Sequence, residues 1–111
     1  MEINAEQVGS SLVIRLNGEL DMHTAPSFRR IADAGLKPPA VKHLVVVLSE
    51  VPFMDSSGIG ALLGRYRIVR EKRGKLVLVG MNTAVRRVLE MAGVLEIVEV
   101  ADTERRALAR L

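Results

Sequence analysis

Two short stretches of this chain carry groups that could do chemistry, Asp55-Ser56-Ser57-Gly58 and Asp21-Met22-His23-Thr24. The first follows Leu44-Val45-Val46-Val47-Leu48, five apolar residues in a row that suit a strand covered on both faces. Beyond it Ile59, Leu62, Leu63, Tyr66 and Val69 recur at helical spacing. Asp55 to Gly58 therefore fall where a strand hands over to a helix N-terminus. Free backbone N–H groups and the positive end of the helix dipole face the hydroxyls there, and a phosphate would be well received. Ser56 thus reads either as a switchable phosphoacceptor or as a plain N-cap, and position alone favours the cap. Ser57 reads as a cap or a backbone-bonding group. Asp55 reads as a loop-shaping acid favoured by the dipole, because no second or third carboxylate accompanies it to hold a metal. In the second stretch Thr24 is the expected N-cap of an earlier helix. Asp21 and His23 are not needed for that cap and are free for a partner contact.

The elements that position these groups follow from periodicity and punctuation. Glu2–Val8 and Leu12–Leu20 read as strands joined by a Gly9-Ser10 hairpin. Pro26 is tolerated in the first turn of a helix running to about Leu36, with Phe28, Ile31, Ala32 and Gly35 inward, and Lys37-Pro38-Pro39 ends it. After the strand Leu44–Leu48 and the loop Ser49–Asp55, a long helix spans about Ser57 to Lys72 and stops at Gly74. Leu76–Val79 is a strand reached by a right-handed crossover. Asn82 or Thr83 caps a third helix with Val85, Val88, Leu89 and Ala92 inward and Gly93 at its C′ position. Ile97–Val100 is a last short strand, and Asp102 caps a terminal helix carrying Ala107, Leu108 and Leu111. The chain is expected to be one α/β domain, 1–111, of order β-β-α-β-α-β-α-β-α, with a mixed sheet opened by an antiparallel hairpin.

Glycines inside the long helix stand out, because each costs up to about 1 kcal/mol relative to alanine. Gly60 and Gly64 lie one turn apart and share a face with Arg67. If Ile59, Leu62, Leu63 and Tyr66 supply the inward stripe, the glycine face is a flat surface for a partner rather than a contact with the sheet.

Composition removes several function classes. The apolar fraction of 49% fits a globular core, and the 3% aromatic content makes that core aliphatic. No run approaches the roughly 18 apolar residues of a membrane span, and no charged-then-apolar leader opens the sequence. The absence of cysteine excludes disulfides and thiolate metal sites and fits a cytoplasmic protein. His23 and His43 form no ligand motif, so neither metal nor cofactor is expected. The net charge of +3 comes from arginines spread along helix faces, with almost no aromatic residues for base stacking. A solvated basic surface is favoured over nucleic-acid binding. Asp-Ser-Ser-Gly is not the Gly-x-Ser-x-Gly elbow, and a serine hydrolase would need His23 or His43 beside Ser56. The phosphate-loop and dinucleotide glycine patterns are missing as well.

Phe53-Met54-Asp55-Ser56-Ser57-Gly58-Ile59-Gly60 resembles the phosphorylation loop of the anti-sigma factor antagonists, the bacterial branch of the STAS domain family. Leu63-Gly64-Arg65-Tyr66 extends the likeness towards the sporulation members. Gly18-Glu19-Leu20-Asp21 with His23-Thr24-Ala25, and Ala84–Leu89 with Met91-Ala92-Gly93, are similar to further family motifs. Met22 stands where that pattern has a second histidine. The resemblance implies a STAS fold and a non-enzymatic phosphoprotein that acts by partner switching. Its unphosphorylated form would bind an anti-sigma factor that is also an ATP/ADP-bound serine kinase, releasing the sigma factor. Phosphorylation on Ser56 would end binding, and a serine phosphatase would restore it. The implied contacts are Asp21, His23, Thr24, Met54, Asp55, Ser56, Ser57, Gly58, Gly60, Gly64 and Arg67. The competing expectation is a STAS-type interaction module in another phospho-switch, such as a stress-response scaffold or transporter-linked regulation.

Overall fold

The computed structural model describes residues 1–111. Strands β1 (Glu2–Val8) and β2 (Ser11–Asn17) form the expected hairpin. They are followed by α1 (Ala25–Leu36), β3 (His43–Glu50), α2 (Ser56–Glu71), β4 (Leu76–Val79), α3 (Thr83–Met91), a 3₁₀ turn (Val94–Glu96), β5 (Glu99–Ala101) and α4 (Glu104–Ala109). The sheet runs β1-β2-β3-β4-β5, with the first pair antiparallel and the others parallel. The expected α/β class and element order are observed.

Sequential parallel strands joined by right-handed crossovers must put every crossover helix on one face. The packing agrees. Leu12, Ile14, Leu44, Val46, Leu48, Leu76 and Leu78 point into one core with Phe28 and Ala32 of α1, Ala61 and Leu62 of α2, and Val85 and Leu89 of α3. The alternate residues Val13, Val45, Val47, Val77 and Val79 meet Ala107 of α4 on the other face. This two-sided covering is why β3 reads as an unbroken apolar run. Arg15 ties α4 down: its Nε and Nη2 each donate to Glu104 at 2.8 Å, while Nη1 reaches Asn4 and Glu6. These bonds from Arg15 hold the Glu104 carboxyl below the usual glutamate range.

Several boundaries differ from the sequence expectation. β2 ends at Asn17, because its register against β3 shifts there. Leu20 pairs separately, as described below. β5 begins two residues late, since Val94–Glu96 wind into a 3₁₀ turn. Thr103, not Asp102, caps α4, its hydroxyl accepting from Arg106 N–H. In α1 the buried residues are Ala25, Phe28, Ala32 and Leu36, with Ile31 only half-buried. In α3 only Val85 and Leu89 are buried, and Ala92 is exposed.

The helix α2 stops before Gly74, whose N–H closes it by donating to the Val69 carbonyl at 2.7 Å, with Arg73 in the left-handed conformation (φ 62°). Gly74 serves another need: a Cβ there would overlap the backbone carbonyl of Lys42, which leads into β3. Gly74→Ala must push β3 and the end of α2 apart, and a loss of about 1–3 kcal/mol is expected, as for other overpacked sites. Thermal melting checks this; an unchanged midpoint would mean the two segments yield freely.

Candidate functional site

The connection from β2 to α1 and that from β3 to α2 are laced together. Gly18 N–H donates to the Glu50 carbonyl at 3.0 Å, and Leu20 N–H to the Phe53 carbonyl at 3.0 Å. Asp55 N–H returns a bond to the Leu20 carbonyl at 3.3 Å. Leu20 and Met54 thereby form an isolated parallel bridge, and both side chains are buried. The bridge sets the entrances of α1 and α2 side by side, so the two polar stretches of the sequence become one site.

At the α1 entrance the carboxylate of Asp21 accepts from the N–H groups of His23 (2.9 Å) and Thr24 (3.1 Å). The Thr24 hydroxyl accepts from Asp21 N–H at 3.0 Å and donates to the Glu19 carbonyl at 2.8 Å. Thr24 stands at the N-cap position of α1 as expected, but its hydroxyl pins the loop and makes no cap hydrogen bond, while the Asp21 carboxylate accepts from the loop N–H groups just before the helix. Desolvation acts to raise the Asp21 pKa, but the donors from His23 and Thr24 outweigh it and hold the carboxyl below its ordinary value. Asp21 is thus ionised at neutral pH. Its stabilising bonds are present above about pH 4 and are lost as pH falls through its lowered folded value. The side chain of His23 is left free at the surface.

At the α2 entrance Asp55, with extended backbone, is the N-cap. Its Oδ1 accepts from Ser57 N–H at 2.8 Å and Gly58 N–H at 3.3 Å, and its carbonyl accepts from Ile59 N–H. Ser56 is consequently the first helical residue and caps nothing. It is exposed, its hydroxyl makes no hydrogen bond, and its N–H has no acceptor within the protein. Ser57 is half-buried, and its hydroxyl is not a cap either. Neither histidine pairs with Ser56. His43, at the far end of β3, accepts from Lys75 N–H through Nδ1.

Of the residues expected to contact a partner, Met54 and Gly58 are buried and so are structural. A Cβ on Gly58 would stand 2.6 Å from the Leu20 carbonyl and 2.7 Å from Met54 Cγ. This glycine lets α2 start directly against the bridge. Gly60 and Gly64 are different, since a Cβ at either meets nothing within 4 Å. With Ser56 and Arg67 they form an open ridge along α2. The inward face of α2 is Gly58, Ala61, Leu62, Arg65 and Val69, whereas Ile59, Leu63 and Tyr66 are half-buried beside it. Arg65 is buried with its Nε 3.0 Å from Asp33 of α1, and its Nη1 has no hydrogen-bond partner. Sequence reasoning missed two exposed apolar side chains near the site, Met22 (65% exposed) and Phe53 (49%). Their position in loops was the available signal.

This arrangement, two helix mouths held side by side on a five-stranded mixed sheet, defines a class. The STAS domain family model matches residues 2–107, and the chain belongs to that family. It is 37% identical over 111 residues to the anti-sigma F factor antagonist of Paenibacillus polymyxa, covering 100% of this chain and 95% of that one. The anti-sigma factor antagonist SpoIIAA in its unphosphorylated form superposes with a TM-score of 0.79 at 31% identity, covering 98% of this chain and 96% of that one. The Bacillus cell fate determinant SpoIIAA in its phosphorylated form gives 0.78 at 31% identity, with 98% of each covered.

The two classes of glycine predict opposite signs. Gly58→Ala should lower stability by about 1–3 kcal/mol through overpacking. Gly60→Ala should raise it by about 0.5–1 kcal/mol, because helix propensity improves with no clash. Denaturant titration of both variants decides, and a stabilising Gly58→Ala would contradict the bridge geometry.

Proposed function

We propose that this protein is an anti-sigma factor antagonist switched by phosphorylation of Ser56. One observation carries the reading: the Ser56 hydroxyl is exposed and unbonded at a helix N-terminus that Asp55 already caps. The relatives' names supply the partner class, an anti-sigma factor. In this reading that partner is a serine kinase, and a serine phosphatase resets the switch in the cytoplasm. No helix here is long and apolar enough to cross a membrane.

The unphosphorylated protein offers the partner a low ridge, Ser56-Gly60-Gly64, beside Asp21 and His23. Docking covers Ser56 and displaces the sigma factor. Phosphoryl transfer from ATP then breaks the bond between the γ-phosphorus and its bridging oxygen. It forms a bond to Ser56 Oγ, whose proton leaves to a base on the partner. The product gains about −1.5 to −2 charges at pH 7. That charge stands next to Asp55 in the chain, on a surface that docking must desolvate. A loss of about 3–4 kcal/mol would weaken binding a few hundredfold. The fold tolerates the phosphate, because the Ser56 N–H and the α2 dipole favour an anion there.

Incubation with the anti-sigma kinase and ATP, followed by fragmentation mass spectrometry, should find phosphate on Ser56. Phosphate mainly on Ser57 would overturn the assignment. Ser56→Ala should bind the kinase and never be released by ATP. Gly64→Arg should fold with unchanged or higher stability, since the site is open, yet lose binding sharply. A stable Gly64→Arg that binds normally would move the interface off this ridge.

A further inference from the structure

A recess lies at the opposite end of α2 from Ser56. Leu63, Tyr66, Arg67 and Arg70 line one wall and Ile97 the other, around a hollow of about 260 Å³. A second hollow of about 180 Å³ shares Tyr66, Arg70 and Ile97 and continues to Lys75 and Glu99. The lining is apolar at Leu63, Tyr66 and Ile97, and Ile97 is 47% exposed. Lys75 and Glu99 already pair at 3.3 Å. Arg67 and Arg70, both exposed, pair with nothing; Glu71 is one turn from Arg67 and makes no ion pair with it.

Two uncommitted guanidinium groups on the rim of an apolar groove fit carboxylates flanking an apolar side chain, which guanidinium can bind bidentately. The groove continues the Gly60-Gly64-Arg67 ridge. We infer that it docks an acidic segment of the anti-sigma partner, an inference that rests on reading that ridge as the docking face. Along α2, Arg67 lies about 16 Å and Arg70 about 21 Å from Ser56, at 1.5 Å per residue. Both separations exceed the Debye length of about 8 Å at physiological salt. A phosphate on Ser56 therefore leaves the attraction at the groove nearly intact. The groove sets the association rate and the salt dependence, while Ser56 sets whether the complex persists. Contributions from sites so far apart should be independent.

The test is calorimetric titration of the anti-sigma kinase at low and physiological salt with four proteins: wild type, Ser56→Asp, Arg67→Glu/Arg70→Glu, and Arg105→Glu/Arg106→Glu. The last makes the same charge change on α4, which covers the other sheet face. All replaced side chains are exposed, so each variant should melt within a few degrees of wild type. The groove variant should bind at least about tenfold more weakly, with a flatter salt dependence, and the α4 variant should bind as wild type. Equal losses in both variants would reveal only a general charge effect and overturn the groove, as would wild-type affinity in the groove variant. Wild-type affinity in Ser56→Asp, with loss in the groove variant, would leave the groove standing and sink the phosphorylation switch. No binding by wild type would overturn both.

Discussion

A single parallel bridge, Leu20 to Met54, holds the functional end of this molecule together. Without it the β2–α1 and β3–α2 connections would be two independent surface loops. With it, buried Leu20 and Met54 fill the space under both helix mouths, and Gly58 brings α2 down onto them. Asp21 and Asp55 can then each organise their own loop by accepting backbone N–H bonds. What remains for a partner is what these bonds do not use: the Ser56 hydroxyl, the His23 ring and the bare backbone ridge at Gly60 and Gly64.

Under the proposed function, this division of labour would let a charge act as a switch without refolding. The capping oxygens come from Asp55, so modifying Ser56 breaks no bond within the fold. The added anion meets a free N–H and the helix dipole, which favour it locally. The same anion would add to the negative charge of its chain neighbour Asp55. Folding should therefore be nearly indifferent to such a phosphate, while an approaching protein surface should not be.

Much of this was legible in the sequence. The unbroken run Leu44–Leu48 announces a strand covered on both faces, and the change of period after it announces a helix mouth at Asp55. Asp55, Asn82 and Gly93 occupy the cap positions their chemistry suggests. The bridge was not legible, because a one-residue pairing leaves no period. The α2 face was misread for a physical reason. Small Gly58 and Ala61 let the helix approach closely, and Arg65 is buried with its Nε 3.0 Å from Asp33 of α1. Hydrophobic periodicity ranks those three residues low and favours Ile59, Leu63 and Tyr66, which lie on the shoulders. The use of the Asp21 carboxylate and the Thr24 hydroxyl to hold the loop before α1 was hidden similarly, since only the loop geometry decides which N–H groups they meet.

Phosphate on Ser56 is proposed to change the partner surface and not the fold. Calorimetric titration of the anti-sigma kinase with fully Ser56-phosphorylated and unphosphorylated protein, with the thermal melt of each recorded, tests it most directly. The account predicts binding a few hundredfold weaker for the phosphorylated form, with melting midpoints within a few degrees of each other. Equal affinities, or a phosphorylated form that has lost its cooperative melt, would contradict it.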